Sequence, residues 1–221
     1  MYLGVTLEKR KNSEGTQCWT MSPQMYVDAA VRNVEERLAK DGLRLPSKCI
    51  TPMSGDYHPS EDTSPELSAR GLKYYQELIG VLRWAVEIGR LDILLEVAFL
   101  SSHLALPRKG HLEQVYHIFA YKKQAPRRRL YLDPDHPIIS EERFVKYDWT
   151  DFYRYASEPL PPNMPEPRGR PVSTHCFVDS DHAGDKVTRR SQTGILIFLN
   201  RAPVIVYSKR QNSVESSTYG S

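Results

Sequence analysis

Three groups of side chains in this sequence are of types that do chemistry. The first lies in the run CFVDSDHAGD at 176–185, where apolar residues give way to Asp179 and Asp181 and then to a glycine-containing turn. Carboxylates at a strand end hold Mg²⁺, which takes oxygen ligands. Two such ions about 4 Å apart activate water and stabilise the leaving oxygen of a phosphodiester. One strand does not supply such a centre alone, because alternation keeps Asp179 and Asp181 on one face only while the strand continues. The plainer reading of the same residues is a solvated acidic turn.

The second group is basic. Lys122, Lys123, Arg127, Arg128 and Arg129 fall within eight residues, Arg189 and Arg190 form a pair, and Lys209 and Arg210 form another. Cations at the end of a helix complement its dipole. The same cluster also suits a phosphate backbone. The third group is His103, His111 and His117, which no acid or cysteine completes into a zinc site. The sequence contains no G-x-S-x-G nucleophile motif and no phosphate-cradling Walker loop.

The elements that must position these residues follow from spacing. Residues 2–9 and 17–21 read as a hairpin around the turn at 12–15. Ser22 and Pro23 open a helix over 23–41, with Tyr26, Ala30, Val34 and Leu38 as its stripe and Gly42 as its stop. Residues 45–65 carry Pro46, Pro52, Pro59 and Pro65 and read as a connector. Tyr75, Leu78, Ile79, Leu82 and Val86 make the apolar face of a second helix, broken at Gly89 and Arg90. Asp92 then caps a third helix whose stripe uses Leu95, Phe99 and Leu104, ended by Pro107. A fourth spans 110–124 with Leu112, Val115, Ile118 and Phe119 inward, and residues 130–132 read as a short strand. Residues 134–171 mix aromatics (Phe144, Tyr147, Trp149, Phe152, Tyr153, Tyr155) with acids and end in SEPLPPNMPEPRGRP, an extended boundary segment. Three strands follow at 175–179, 194–199 and 203–208, the last two joined by a tight turn at Asn200 and Arg201. Ser216, Ser217 and Thr218 could cap a further helix.

Composition bounds the rest. Hydrophobic content of 40% and charged content of 26% are those of a globular protein. A net charge of +3 with a pI near 8.7 permits a nucleic-acid partner without arguing for one. No apolar run approaches a membrane span, since 93–100 is interrupted by Glu96. The N-terminus is not a secretory signal. These features point to an intracellular protein, not a secreted or membrane one. Cys18, Cys49 and Cys176 are odd in number and far apart, so they read as buried or partly buried thiols in a reducing compartment.

The segments CFVDSDHAGD, RRSQTG, ILIFLN, APVIVYSKRQNSV and SST, in this order, resemble the start of the ribonuclease H domain of copia-type retrotransposon polyproteins. Upstream, the strand at 2–5, the helix after Ser22, Thr51-Pro52-Met53, residues 75–82, Arg90-Leu91-Asp92-Ile93, Pro107, His111 and Tyr121 resemble the segment that follows the polymerase palm in the same family. The resemblance covers all but 133–172. It departs at His182 and Leu112, where the family has tryptophans, and in the long insert before Val172.

The resemblance implies an α+β fold. A helical thumb/connection-like region with a small N-terminal hairpin spans 1–133, an insert and Pro-rich linker 134–171, and the first, incomplete part of a ribonuclease-H-like antiparallel three-strand sheet 172–221. It implies that Asp179 is the first metal-binding carboxylate, with Asp181 as a companion acid, and that the cofactor is Mg²⁺. The glutamate of the following helix aligns just after Ser221, and the polymerase Y-x-D-D aspartates align before Met1. The chain therefore reads as an enzyme fragment, inactive alone, of a parent that performs RNA-directed DNA synthesis and hydrolyses RNA in RNA–DNA hybrids. Its implied partners are an RNA–DNA hybrid and the rest of the polyprotein, in a cytoplasmic particle or the nucleus. The alternative is a non-catalytic nucleic-acid-binding remnant or domesticated scaffold.

Overall fold

A computed structural model describes residues 4–138, 148, 150–154, 161–166 and 168–214. Among them the fold is α+β, with five helices and two three-stranded antiparallel sheets. The chain opens as a hairpin of β1 (Thr6–Lys11) and β2 (Gln17–Ser22), paired from Thr6 opposite Ser22 to Lys11 opposite Gln17. The hairpin does not stand alone: β3 (Leu130–Leu132) returns from far along the chain to pair with β2, Thr20 opposite Tyr131.

Helix α1 (Gln24–Lys40) buries Val27, Val31, Val34 and Leu38, the stripe that the spacing requires. Ser22 is not its cap. That residue ends β2, Pro23 takes the cap position, and no side chain caps the helix. At the other end Leu43 N–H bonds Leu38 C=O at 2.9 Å beyond Gly42, closing the last turn. Helix α2 (Ala69–Glu87) is capped by Ser68 Oγ, which accepts from Gly71 N–H at 3.3 Å, and buries Tyr75, Leu78, Ile79, Leu82, Ala85 and Val86. Gly89 stops it at φ +113°, a conformation that side-chain-bearing residues rarely adopt, and lets Arg90 N–H reach Ala85 C=O at 2.9 Å.

The third helix departs from expectation. Asp92 lies in a single 3-10 turn, Leu91–Ile93, and caps nothing; its carboxylate is taken by Arg90. Helix α3 (Leu94–Ser101) buries Val97 and Leu100, whereas Leu95 is 46% exposed, and it ends six residues before Pro107. The 3-10 turn changes the helical phase, so a stripe counted from Asp92 falls on the wrong face. Helix α4 (Lys109–Gln124) buries Val115, Ile118 and Phe119 as expected, with Leu112 partly buried against the same core. These four helices enclose one core, within which Tyr75 donates its hydroxyl to Leu100 C=O at 2.8 Å. The connector at 41–68 lies along α4, with Ser54 N–H on Gln114 and Lys109 N–H on Pro65 C=O.

Helix α5 (Thr150–Tyr153) is a single turn carrying Phe152 and Tyr153. The other aromatics of that stretch, and Ser216 to Thr218, lie outside the described residues. The second sheet is the meander β4 (Thr174–Ser180), β5 (Gln192–Leu199) and β6 (Ala202–Arg210), with a bulge where Ile197 and Phe198 meet β6. Asn200 makes the tight turn at φ +54°, which its side chain tolerates. That side chain also accepts from Ser173 N–H at 2.9 Å and donates to Pro134 C=O at 2.8 Å. Next to it Arg201 pairs bidentately with Glu14 in the β1–β2 turn, and β6 lies against α3. These contacts join the second sheet to the first and to the helices. No helix among the described residues is long and apolar enough to cross a membrane.

Candidate functional site: an acidic strand end and scattered basic residues

Asp179 lies on β4 opposite Gly194, one residue before the strand ends. It is exposed, and its Oδ1 accepts from the N–H of Ser180 at 2.9 Å. Asp181 lies beyond the strand, so alternation no longer sets its direction. Its Oδ1 accepts from Gln192 N–H at 2.8 Å and Gly184 N–H at 3.3 Å, closing the turn between β4 and β5. A Cβ at 184 would fall 2.1 Å from Asp181 Oδ2, so a larger residue there would have to displace that carboxylate. The companion acid thus serves the turn rather than sharing a face with Asp179. Asp185 is likewise spent on structure, accepting from Thr188 N–H at 2.9 Å and from Arg210 at 2.8 Å. Burial works to raise its carboxyl, but these hydrogen bonds outweigh it and hold the group below the usual carboxylate range. Among the described residues no three His, Cys, Asp or Glu side chains group so as to hold a metal. The described side chains therefore do not by themselves fit a two-ion Mg²⁺ centre.

The basic cluster is not a single track. Lys122 is fully buried, and its Nζ has no hydrogen-bond partner and lies 5.8 Å from the Phe119 ring centre. Burial first, and then the nearby Arg90 charge, push it down to about 7. Its reading as a surface phosphate contact is therefore corrected: a side chain with no exposed atoms cannot reach a backbone phosphate. Lys123 pairs with Glu35 at 2.6 Å, and Arg129 is bound to Glu8 across the first sheet. Arg128 lies 3.7 Å from Asp92 and over the Tyr121 ring but keeps 57% of its side-chain surface. Arg127 is exposed. Arg189 is exposed at φ +59° in the turn after Asp185, and Arg190 is half-buried.

Two constellations had weaker signals. Arg90, fully buried, donates Nε and one Nη to the two oxygens of Asp92 at 2.8 and 2.9 Å, and Tyr121 adds its hydroxyl at 3.0 Å. Burial alone would raise the Asp92 carboxyl, but Arg90 and Tyr121 hold it below the usual range. The R-x-D spacing after the Gly89 break was the available signal. The rings of His103 and His111 meet at 4.2 Å. His111 accepts from Arg108 N–H at its Nδ1 and bonds Pro59 C=O through Nε2, so both nitrogens are committed to the fold. His103 is pushed down to about 4, chiefly by burial. Of the thiols, Cys18 and Cys49 are buried as expected, whereas Cys176 is exposed.

Comparison with known proteins gives this geometry a context. The chain is 26% identical, over 193 residues and 85% of its length, to the retrovirus-related Pol polyprotein from transposon RE1 of Arabidopsis thaliana, of which the match spans 10%. It is 29% identical, over 120 residues and 54% of its length, to a transposon Ty5-1 protein of Saccharomyces cerevisiae, of which the match spans 35%. The chain is related to retrotransposon polyproteins. It spans about a tenth and about a third of the length of these two transposon relatives. No protein-family model and no solved structure matches it.

Proposed function

We propose that the chain is the part of a copia-type retrotransposon polyprotein that joins the end of a reverse transcriptase to the beginning of its ribonuclease H domain. On this reading residues 1–133 are thumb and connection, 134–171 an insert, and 172–221 the first strands of the nuclease. The observation that carries it is Asp179. It is an exposed carboxylate at the end of the first strand of a three-stranded antiparallel meander, and among the described residues it is engaged only with the N–H of its neighbour. A catalytic acid poised for metal needs that freedom, and Asp181 and Asp185 lack it.

The parent polyprotein would carry out RNA-directed DNA synthesis and Mg²⁺-dependent hydrolysis of RNA in hybrids, within a cytoplasmic particle or the nucleus. The contribution of this chain is to hold the RNA–DNA hybrid through Arg127, Arg128 and Arg189, without cutting it. Arg127→Ala/Arg128→Ala should weaken hybrid binding about tenfold and make its salt dependence shallower. Asp179→Asn should leave hybrid affinity unchanged, and the wild-type chain with Mg²⁺ should leave the RNA strand intact. In a longer polyprotein segment that supplies further carboxylates, the same Asp179→Asn change should abolish cleavage. Cleavage by the 221-residue chain itself, lost in Asp179→Asn, would overturn the non-catalytic reading.

A further inference from the structure

A groove of about 460 Å³ runs between α2 and α3 on one side and the end of β6 on the other. Arg83 and Glu87 of α2, Lys209 and Arg210 of β6, and Arg190 of the turn before β5 line it. Four cations and one carboxylate thus line it. Arg83, Arg190 and Lys209 have no ion-pair partner among the described residues, and Arg210 commits one nitrogen to Asp185. Like charges brought together across a recess repel, and that cost is relieved by an anion between them.

The polar lining points the same way. Ser101 Oγ is buried at this groove with no partner, so its hydroxyl is an uncommitted donor. Gln211 is the second case: its amide donates Nε2 to Thr193 Oγ1 at 3.0 Å and leaves Oε1 buried and unpaired. With the amide turned over, Oε1 accepts from the Thr193 hydroxyl and the NH₂ group takes the unpaired position, a donor without a partner among the described residues. Both lining groups are then donors, as a phosphate requires. Tyr207, also on the groove, keeps 42% of its surface. A basic recess with an exposed aromatic side chain is the physical design of a single-strand site, in which cations follow the backbone and a base stacks on the ring. A duplex keeps its bases stacked inward and has no free base face to offer Tyr207.

We infer that this groove binds the phosphate backbone of single-stranded nucleic acid, with Arg83, Arg190, Lys209 and Arg210 on phosphates and Tyr207 under a base. The inference rests on the reading of the chain as a nucleic-acid partner but uses a different surface from Arg127 and Arg128. The test is fluorescence anisotropy of the full chain with a short labelled oligouridine, and separately with an RNA–DNA hybrid, over a series of salt concentrations. Arg83→Ala/Lys209→Ala, both at exposed positions, should weaken oligouridine binding roughly tenfold and reduce the salt slope by about 1.4. Tyr207→Leu should weaken it about fivefold with the slope unchanged. Arg127→Ala/Arg128→Ala should leave oligouridine binding unchanged. Loss of hybrid binding with oligouridine binding intact would sink the hybrid reading and leave this one standing. Oligouridine binding indifferent to Arg83→Ala/Lys209→Ala, or absent from the wild-type chain, overturns the groove assignment. A charge reversal, Arg83→Glu, must act in the same direction and more strongly.

Discussion

In the helical region Tyr75, Leu82, Ile93, Leu100, Val115, Ile118 and Phe119 have no exposed surface, whereas in the β4–β6 sheet Phe177 keeps 51%, Ile205 52% and Val178 66%. Both regions are rich in apolar side chains, so composition does not explain the difference. Periodicity does. A helix with one apolar stripe is satisfied by a single layer of neighbours, and four such helices satisfy one another. A strand sends alternate side chains to both faces, and β4 to β6 carry apolar residues on each of them. Among the described residues, α3 and the neighbouring loops cover only part of that surface. The helical region therefore carries its own stability, while the sheet depends on its attachments at Arg201, Asn200 and β6.

The most direct way to break this comparison is to remove a helical core residue. Phe119 is fully buried in the core that α4 shares with α1 and α2. Phe119→Ala should lower unfolding stability by about 3–5 kcal/mol, read by urea denaturation. A loss under about 1 kcal/mol would mean that the helical region is no better packed than the sheet.

Lys122 offers a change in the opposite direction. Its folded-state pKa of about 7 lies below the ordinary value of 10.5. Between these values the unfolded chain binds the extra proton, so stability rises as pH climbs from about 7 towards 10.5. Below about 7 both states are protonated and the whole penalty of burying the charge remains. Lys122→Met keeps the chain length and apolar contact with Phe119 but removes that penalty. It should stabilise the protein by about 2 kcal/mol at pH 7, with the gain fading by pH 10.5. A loss of stability at pH 7 would show that the ammonium has a partner after all.

Lys122 also shows what could be read in advance. Val115, Ile118, Phe119 and Lys122 stand at i, i+3, i+4 and i+7, one face of one helix, so its burial was legible in spacing. Grouping it by charge with Lys123 and Arg127 to Arg129 hid that face. The hairpin, α1, α2, α4 and the three later strands followed from periodicity and punctuation, because each depends on local pattern. What was not legible depended on distant partners or on a change of phase: the pairing of β3 with β2, the 3-10 turn that diverts Asp92 to Arg90, and the turn that claims Asp181. The same limit applies to the candidate site. The position of Asp179 at a strand end could be read from the run of residues, but the use of its acidic neighbours could not. The groove between α2, α3 and β6 joins residues more than a hundred positions apart, and only the Arg189–Arg190 and Lys209–Arg210 pairs hinted at it.

The smallest expected effect sharpens the comparison most. Val178, on β4, is 66% exposed and sits opposite Ile195. Val178→Thr keeps a β-branched side chain of nearly the same shape, so strand propensity is preserved and only the exposed apolar surface changes. If that face of the sheet is open in the isolated chain, the substitution should shift stability by no more than about 0.5 kcal/mol, measured by the same urea titration. A hydroxyl forced into a covered apolar site without a partner costs about 1–3 kcal/mol. A loss of that size would mean that the face is covered in solution, and the contrast with the helical core would then be one of what covers each region rather than of how much is buried.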